Sequence, residues 1–250
     1  MNTYQPDLVE QAQEAREDAL AARPPGPAPR PKDAATLILV RRTPDGPRIL
    51  MGQRGRGHSF MPDKYVFPGG KVDPTDGAVP AASEPASDTL TALAHGGVRR
   101  RARAFALAAV REMWEEAGLL VARTATAGSP AYRGPDPGWQ SLFAAGAAPH
   151  LEPLRYIGRA ITPPSRHKRF DARFFMADAD EALLDARPAQ DGAEMGDLRW
   201  FAFDEALGLD LPSVTRFMLG ELKVRLEQPD HEPGIPFLRW TRSGHRMDRL

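Results

Sequence analysis

The chain has 250 residues, and its 33 basic and 33 acidic side chains cancel to a formal net charge of zero. Hydrophobic residues make up 42% and charged residues 26%, an ordinary globular mixture. The totals therefore point neither to nucleic acid nor to an anionic membrane surface, and the absence of cysteine excludes disulfides and thiol chemistry.

Residues 5–22 are charged and alanine-rich and predict a short helix. Residues 22–32 carry five prolines and predict an extended linker. The first clear strand is A-A-T-L-I-L-V at 34–40, followed by a turn at 43–47 and a hairpin partner at 48–54. A short strand at 65–67 meets Pro68, Gly69 and Gly70. Residues 77–85 predict a loop, and 86–95 a helix closed by Gly96 and Gly97. From Val98 to Gly118 neither Pro nor Gly interrupts the chain, which predicts one helix with an apolar stripe through Ala104, Leu107, Ala108 and 110–113. Residues 124–153 are rich in Gly, Pro and Ala, with one short helix expected at 139–145. Strands are expected at 154–162, 169–177 and 198–203, then a turn or helix at 203–207. A last helix is expected to begin with Pro212 at its first position and to end near 226. The apolar stretch 237–240 stays unassigned. This irregular mixture argues against a doubly wound parallel sheet.

The most informative stretch is R-E-M-W-E-E-A-G-L at 111–119. On a helix, Glu112, Glu115 and Glu116 stand at i, i+3 and i+4 and project from one face. Like charges at that spacing destabilise a helix by a few tenths of a kcal/mol per pair. A hard divalent cation held through carboxylate oxygens would offset the repulsion; a solvated acidic face is the competing reading. Upstream, Y-V-F-P-G-G-K-V-D-P-T-D spans 65–76, and its paired glycines let backbone approach a ligand closely.

Together these segments resemble the Nudix box, G-x5-E-x7-R-E-U-x-E-E-x-G-U. Gly70 stands at the box glycine, and Met113 and Leu119 at the apolar sites. There are two departures. Asp76 replaces the usual Glu, and 34 residues instead of seven separate it from Arg111. A contiguous register would put Gly97 and Arg103 at the glycine and acid positions, with no Pro-Gly-Gly, so the split box is preferred. A box interrupted there resembles the branch that contains peroxisomal coenzyme A diphosphatase. Segments 60–70, 161–175, 194–200 and 211–217 are similar to that branch as well, so the likeness runs over roughly 34–222.

The resemblance implies a Nudix-type α/β/α sandwich around a mixed sheet. The domain is expected at 33–228 with its insert at about 77–104, between an N-terminal segment and Pro-rich linker (1–32) and a tail (229–250). The stretch 77–97 is expected to be a surface excursion that leaves the Gly70 loop beside the Glu112 helix. Implied metal ligands are Gly70, Glu112, Glu115 and Glu116, for Mg²⁺ or Mn²⁺. Implied catalytic residues are Glu115, Arg111, which pairs with Glu115 at i, i+4, and Glu194. Glu194 lies six residues before Trp200 and is expected to be a metal ligand or general base. The role of Asp76 is open between a water-mediated metal contact and a structural one. Arg54, Arg166 and Arg169 are the candidate substrate-binding cations. The basic run 99–103 reads as a solvated helix start, and His58, His95 and His167 as incidental.

The function implied is metal-dependent cleavage of a phosphoanhydride bond in a nucleoside-diphosphate-linked small molecule, coenzyme A or acyl-coenzyme A first among them. A hydrolase of ADP-ribose or NADH-type dinucleotides and a non-catalytic nucleotide-sensing module are the alternatives. Neither nucleic acid nor membrane is an expected partner, and a homodimer is a possible assembly. No secretory signal or C-terminal peroxisomal address is read from the ends, so the expected location is cytoplasmic.

Overall fold

The computed structural model describes residues 26–250 apart from 56, 58–60, 127, 130, 193, 230, 232, 242 and 243. The expected helix at 5–22, the start of the proline-rich linker and His58 lie outside the described residues. The strands are β1 (Lys32–Thr43), β2 (Gly46–Arg54), β3 (Tyr65–Val66), β4 (Gly69–Lys71), β5 (Ala122–Thr124), β6 (Ala147–Pro149), β7 (Arg155–Ile161), β8 (Phe170–Asp178), β9 (Met195–Ala202), β10 (Pro236–Thr241) and β11 (Gly244–Arg249). The helices are α1 (Ser87–His95), α2 (Ala102–Ala117), α3 (Pro137–Ala144), α4 (Ala179–Ala182), α5 (Phe203–Gly208) and α6 (Ser213–Glu227).

Nine strands form one sheet in the order β11-β10-β7-β8-β1-β2-β3, with β4 paired to β1 and β9 to β2. β1 runs parallel to β8 and antiparallel to β2 and β4, so the sheet is mixed. β1 is covered on both faces. Its Leu37 and Leu39 enter one core with Phe105, Leu107 and Met113 of α2, while Ile38 and Val40 enter a second with Phe217, Met218 and Leu222 of α6. Successive side chains leave a strand on opposite faces, so a strand buried on both sides reads as one continuous apolar run. The result is an α/β/α sandwich.

α2 positions the carboxylates. Phe105 to Val110 in its middle are fully buried. Burying a side chain such as Phe105 or Leu107 is worth roughly 1.5–3 kcal/mol, which outweighs the repulsion among the glutamates that follow. Gly118 ends the helix at φ 65, its N–H donating to the Trp114 carbonyl. A left-handed residue there favours glycine.

The structure departs from the sequence reading in several places. The helix proper starts at Ala102, because Arg99–Arg101 form a 3-10 turn. Pro212 is the N-cap of α6 and not its first residue. β4, β5 and β6 are three-residue strands rich in Gly and Ala, too short to carry a period. The unassigned stretch 237–240 belongs to β10, which pairs parallel with β7 and antiparallel with β11. The insert is not a mere surface excursion: Val79 and Leu93 are fully buried in the α2-side core. Polar ties fasten it as well, with Thr89 Oγ1 donating to the Leu154 carbonyl at 2.9 Å and Ser83 Oγ lying 2.6 Å from His150 Nδ1. An amphipathic nine-residue helix cannot leave its apolar side in water without cost, so it packs down.

Candidate active site

Two glycines and two glutamates form the centre of the site. β4 pairs with β1 through Ala35 and Gly70, and α2 packs across it. The Gly69 N–H donates to Glu116 Oε2 at 2.7 Å. A Cβ on Gly70 would lie 2.4 Å from the Glu112 carboxylate carbon. The 34 residues between Asp76 and Arg111 therefore leave the two halves of the motif in contact.

The three glutamates divide by angle. Each helical residue advances about 100°, so Glu112 and Glu116 nearly overlie each other, as do Arg111 and Glu115. Arg111 reaches Glu112 and Glu115 alike, but Glu112 and Glu116 face Gly69 and Gly70, whereas Glu115 turns toward the start of α3. There a Cβ on Gly138 would fall 1.8 Å from Glu115 Oε1. The sequence treats the three acids as one face; the fold presents a pair and a neighbour.

Arg111 is buried and fully engaged. Nη1 donates to Glu112 Oε1 and Glu115 Oε2, both at 2.9 Å. Nη2 donates to the Lys71 carbonyl at 2.8 Å, and Nε to Asp76 Oδ1 at 3.1 Å. Asp76 is itself fully buried and accepts four hydrogen bonds, from Arg111 Nε and Nη2, the Asp73 N–H and the Trp139 indole. Its two oxygens are thus committed to protein donors, which gives Asp76 a structural place beneath the glutamates.

The electrostatics are those of carboxylates short of positive charge. Burial, reinforced by the Glu112 charge, pushes Glu116 up to about 8, although the Gly69 N–H and Arg54 pull the other way. Burial likewise pushes Glu112 up to about 7, against Arg111 and with added repulsion from Glu115 and Glu194. Burial also raises Glu115, with Arg111 opposing.

Glu194 comes to this centre from the other end of the chain. Arg54 pairs with Met195 across β2 and β9, and the Gly55 N–H donates to the Glu194 carbonyl at 3.3 Å. The exposed Glu194 carboxylate acts on both Glu112 and Glu116, and the Arg54 charge acts on Glu116. Arg166 and Arg169 sit in the β7–β8 connection. Arg166 is buried, and Arg169 donates to the Thr162 and Pro29 carbonyls, fastening the entry to β1. In the basic run, Arg101 pairs with Asp33, and Arg103 reaches Glu84 and the Gly77 carbonyl.

Sequence reasoning missed Trp139 and Gly138, which reach the site from the glycine- and proline-rich stretch. The available signal was Asp136-Pro137, a helix start in which Asp136 accepts from the Trp139 N–H.

The molecule is thus a mixed-sheet α/β/α sandwich whose site is a carboxylate-bearing helix laid against a glycine strand. The family model described as NUDIX domain matches residues 31–218. The chain belongs to the NUDIX family. It is similar to a Caenorhabditis elegans protein described as a candidate nudix hydrolase 7, 29% identical over 180 residues that cover 68% of this chain and 50% of the relative. It therefore spans about half the length of that relative. It is also similar to the solved NUDIX hydrolase from Alicyclobacillus acidocaldarius, with 28% identity, a TM-score of 0.56, and coverage of 76% of this chain and 90% of that one. No helix among the described residues is long and apolar enough to cross a membrane.

Proposed function

We propose that this chain is a metal-dependent hydrolase that cleaves a phosphoanhydride bond in a nucleoside-diphosphate-linked small molecule. One observation carries the reading: two carboxylates, the buried Glu116 and the partly buried Glu112, both driven toward protonation, converge on the backbone of Gly69 and Gly70. A divalent cation relieves such a pair. Among the described residues no trio of His, Cys, Asp or Glu forms a ready-made cation site. Two carboxylates still suit Mg²⁺ or Mn²⁺, since Mg²⁺ is usually held by one or two carboxylates with substrate phosphate and water completing the shell. Glu112, Glu116 and the Gly70 carbonyl are the ligands in this reading.

When bound, the metal neutralises the diphosphate and activates the attacking water. The side chains do the rest. Arg111 fixes the Glu112 and Glu115 rotamers through one nitrogen. Glu115, exposed beside Gly138 of α3, serves as an orienting partner or third ligand. Glu194, exposed beside the site, accepts a proton from water or holds a second ion in this reading. Arg54, on the strand paired with β9 and next to Glu194, supplies positive charge for a phosphate. Arg166 and Arg169 have the weaker claim, since Arg169 is used by backbone carbonyls.

Coenzyme A or an acyl derivative is the favoured substrate, supported by the interrupted box. ADP-ribose and NADH-type dinucleotides are the second reading, supported by the same metal chemistry. The test is a panel of these diphosphates with Mg²⁺ and with Mn²⁺, following nucleotide and phosphate-bearing products. Metal-dependent cleavage of coenzyme A above the dinucleotides supports the proposal. Cleavage of none by a folded, metal-loaded protein overturns it.

A further inference from the structure

Helix α3 lies outside the sequence motif, yet three of its first five residues touch the motif's side chains. Trp139, fully buried, donates its indole N–H to Asp76 Oδ1 at 2.9 Å. Gly138 lies so near Glu115 that a Cβ there would fall 1.8 Å from Oε1. Ser141 Oγ accepts from the Trp114 indole at 2.7 Å. Asp136 caps the helix and holds the Trp139 backbone through its N–H at 2.9 Å. The segment touches the motif at three points, Asp76, Glu115 and Trp114.

The contacts form a chain that ends at the glutamates. Trp139 holds Asp76; Asp76 holds Arg111 through Nε and Nη2; Arg111 holds Glu112 and Glu115 through Nη1. Asp76 is shorter by one methylene than the glutamate usual at its position. The Trp139 indole gives this shorter acid one donor more, beside those of Arg111 and the Asp73 N–H. Buried carboxylate oxygens need such donors, and a charged acceptor makes the bond a strong one.

The geometry points to Trp139 as a positioning residue for the metal-binding glutamates: an indole from outside the box that compensates for Asp76 and sets Glu112 and Glu115 through Arg111. This rests on the metal-dependent reading of the site. Partners that orient metal ligands without touching the metal typically change metal affinity or activity by about 10–100-fold when removed.

The decisive variant is Trp139→Phe, which keeps an aromatic ring and removes the N–H. Mn²⁺ binding to chelator-stripped protein is measured by electron paramagnetic resonance, alongside the thermal melt and the steady-state constants. The expected result is Mn²⁺ affinity weakened about ten-fold or more with a cooperative melt retained, and a fall in kcat larger than any rise in KM. In the Trp139→Phe background, Asp76→Glu is expected to recover Mn²⁺ affinity, since the added methylene reaches into the vacated space. Wild-type Mn²⁺ affinity in a folded Trp139→Phe protein overturns the role, and loss without recovery by Asp76→Glu overturns the compensation. Should Trp139→Phe fail to fold, Asp76→Glu in the wild-type background probes the same contact by pressing an added methylene against the indole that donates to this carboxylate. Weaker Mn²⁺ binding is expected, and unchanged binding sinks the proposal. If the wild type binds Mn²⁺ but hydrolyses no diphosphate, the functional reading fails while the Mn²⁺ measurements still decide the role of Trp139.

Discussion

The Gly69 N–H donates to Glu116 Oε2 at 2.7 Å, across 47 residues of chain and between a strand end and the last turn of a helix. That bond joins the two halves of the split motif. It reaches a side chain that is 5% exposed. Glu116 is thus oriented while burial and the Glu112 charge work against its ionised form, and a cation would offset both.

Replacing that charge separates function from stability. Glu116→Gln should lower turnover by roughly two orders of magnitude or more, the scale on which single catalytic groups act. The same change should raise the melting temperature of the metal-free protein at pH 8, because it removes a charge that burial and the Glu112 carboxylate disfavour. Steady-state rates and thermal melts in chelator check both. A lower melting temperature with full activity would remove Glu116 from the site.

The pH dependence of the metal-free protein follows from the raised values of Glu112 and Glu116, about 7 and about 8 against 4.5 for the free side chain. The folded state binds these protons more tightly than the unfolded state. Stability from these groups is therefore fully present below pH 4.5 and is lost as pH rises from there through about 7 and about 8. Urea unfolding in chelator should show that fall, and saturating Mg²⁺ or Mn²⁺ should abolish it. Metal binding near pH 7 should release protons, since the ligands must be deprotonated. Calorimetry in buffers of different ionisation enthalpy measures that release; its absence would argue that the glutamates are already ionised.

Gly70→Ala tests the approach of backbone to carboxylate. The added Cβ would sit 2.4 Å from the Glu112 carboxylate and must push it aside. Metal affinity and kcat should both fall by about ten-fold, the scale of a displaced ligand partner, with a melting temperature near wild type because the carboxylate is the flexible end of its side chain. An unaltered metal requirement would show that Gly70 and Glu112 act independently.

The insert should behave as core. Leu93→Ala, in its helix, removes a fully buried side chain and should cost about 2–5 kcal/mol in urea unfolding. A loss within 0.5 kcal/mol, the range of ordinary surface substitutions, would return the insert to the periphery.

Much of the fold is legible in the chain itself. The apolar run at 34–40, the uninterrupted stretch before Gly118 and the strands around 154–177 carry their own periodicity or punctuation, because backbone sterics and burial act over a few residues. The helix that carries Glu112, Glu115 and Glu116 at i, i+3 and i+4 was legible too, whereas the position of Glu194 depends on Arg54 pairing with Met195. Three features were decided only in three dimensions. The split of the glutamates into a pair facing Gly69 and Gly70 and an exposed Glu115 beside α3 depends on what packs on each side of α2, which the 100° helical step does not reveal alone. The role of Asp76 depends on the Trp139 indole, 63 residues away in an irregular stretch. The tail becomes β10 only because β7 leaves an edge for it. Local sequence determines which elements form and which side chains they carry. Which of those side chains share one space, and so become acid pair, clamp or wedge, is settled by long-range packing whose partners have no fixed separation along the chain.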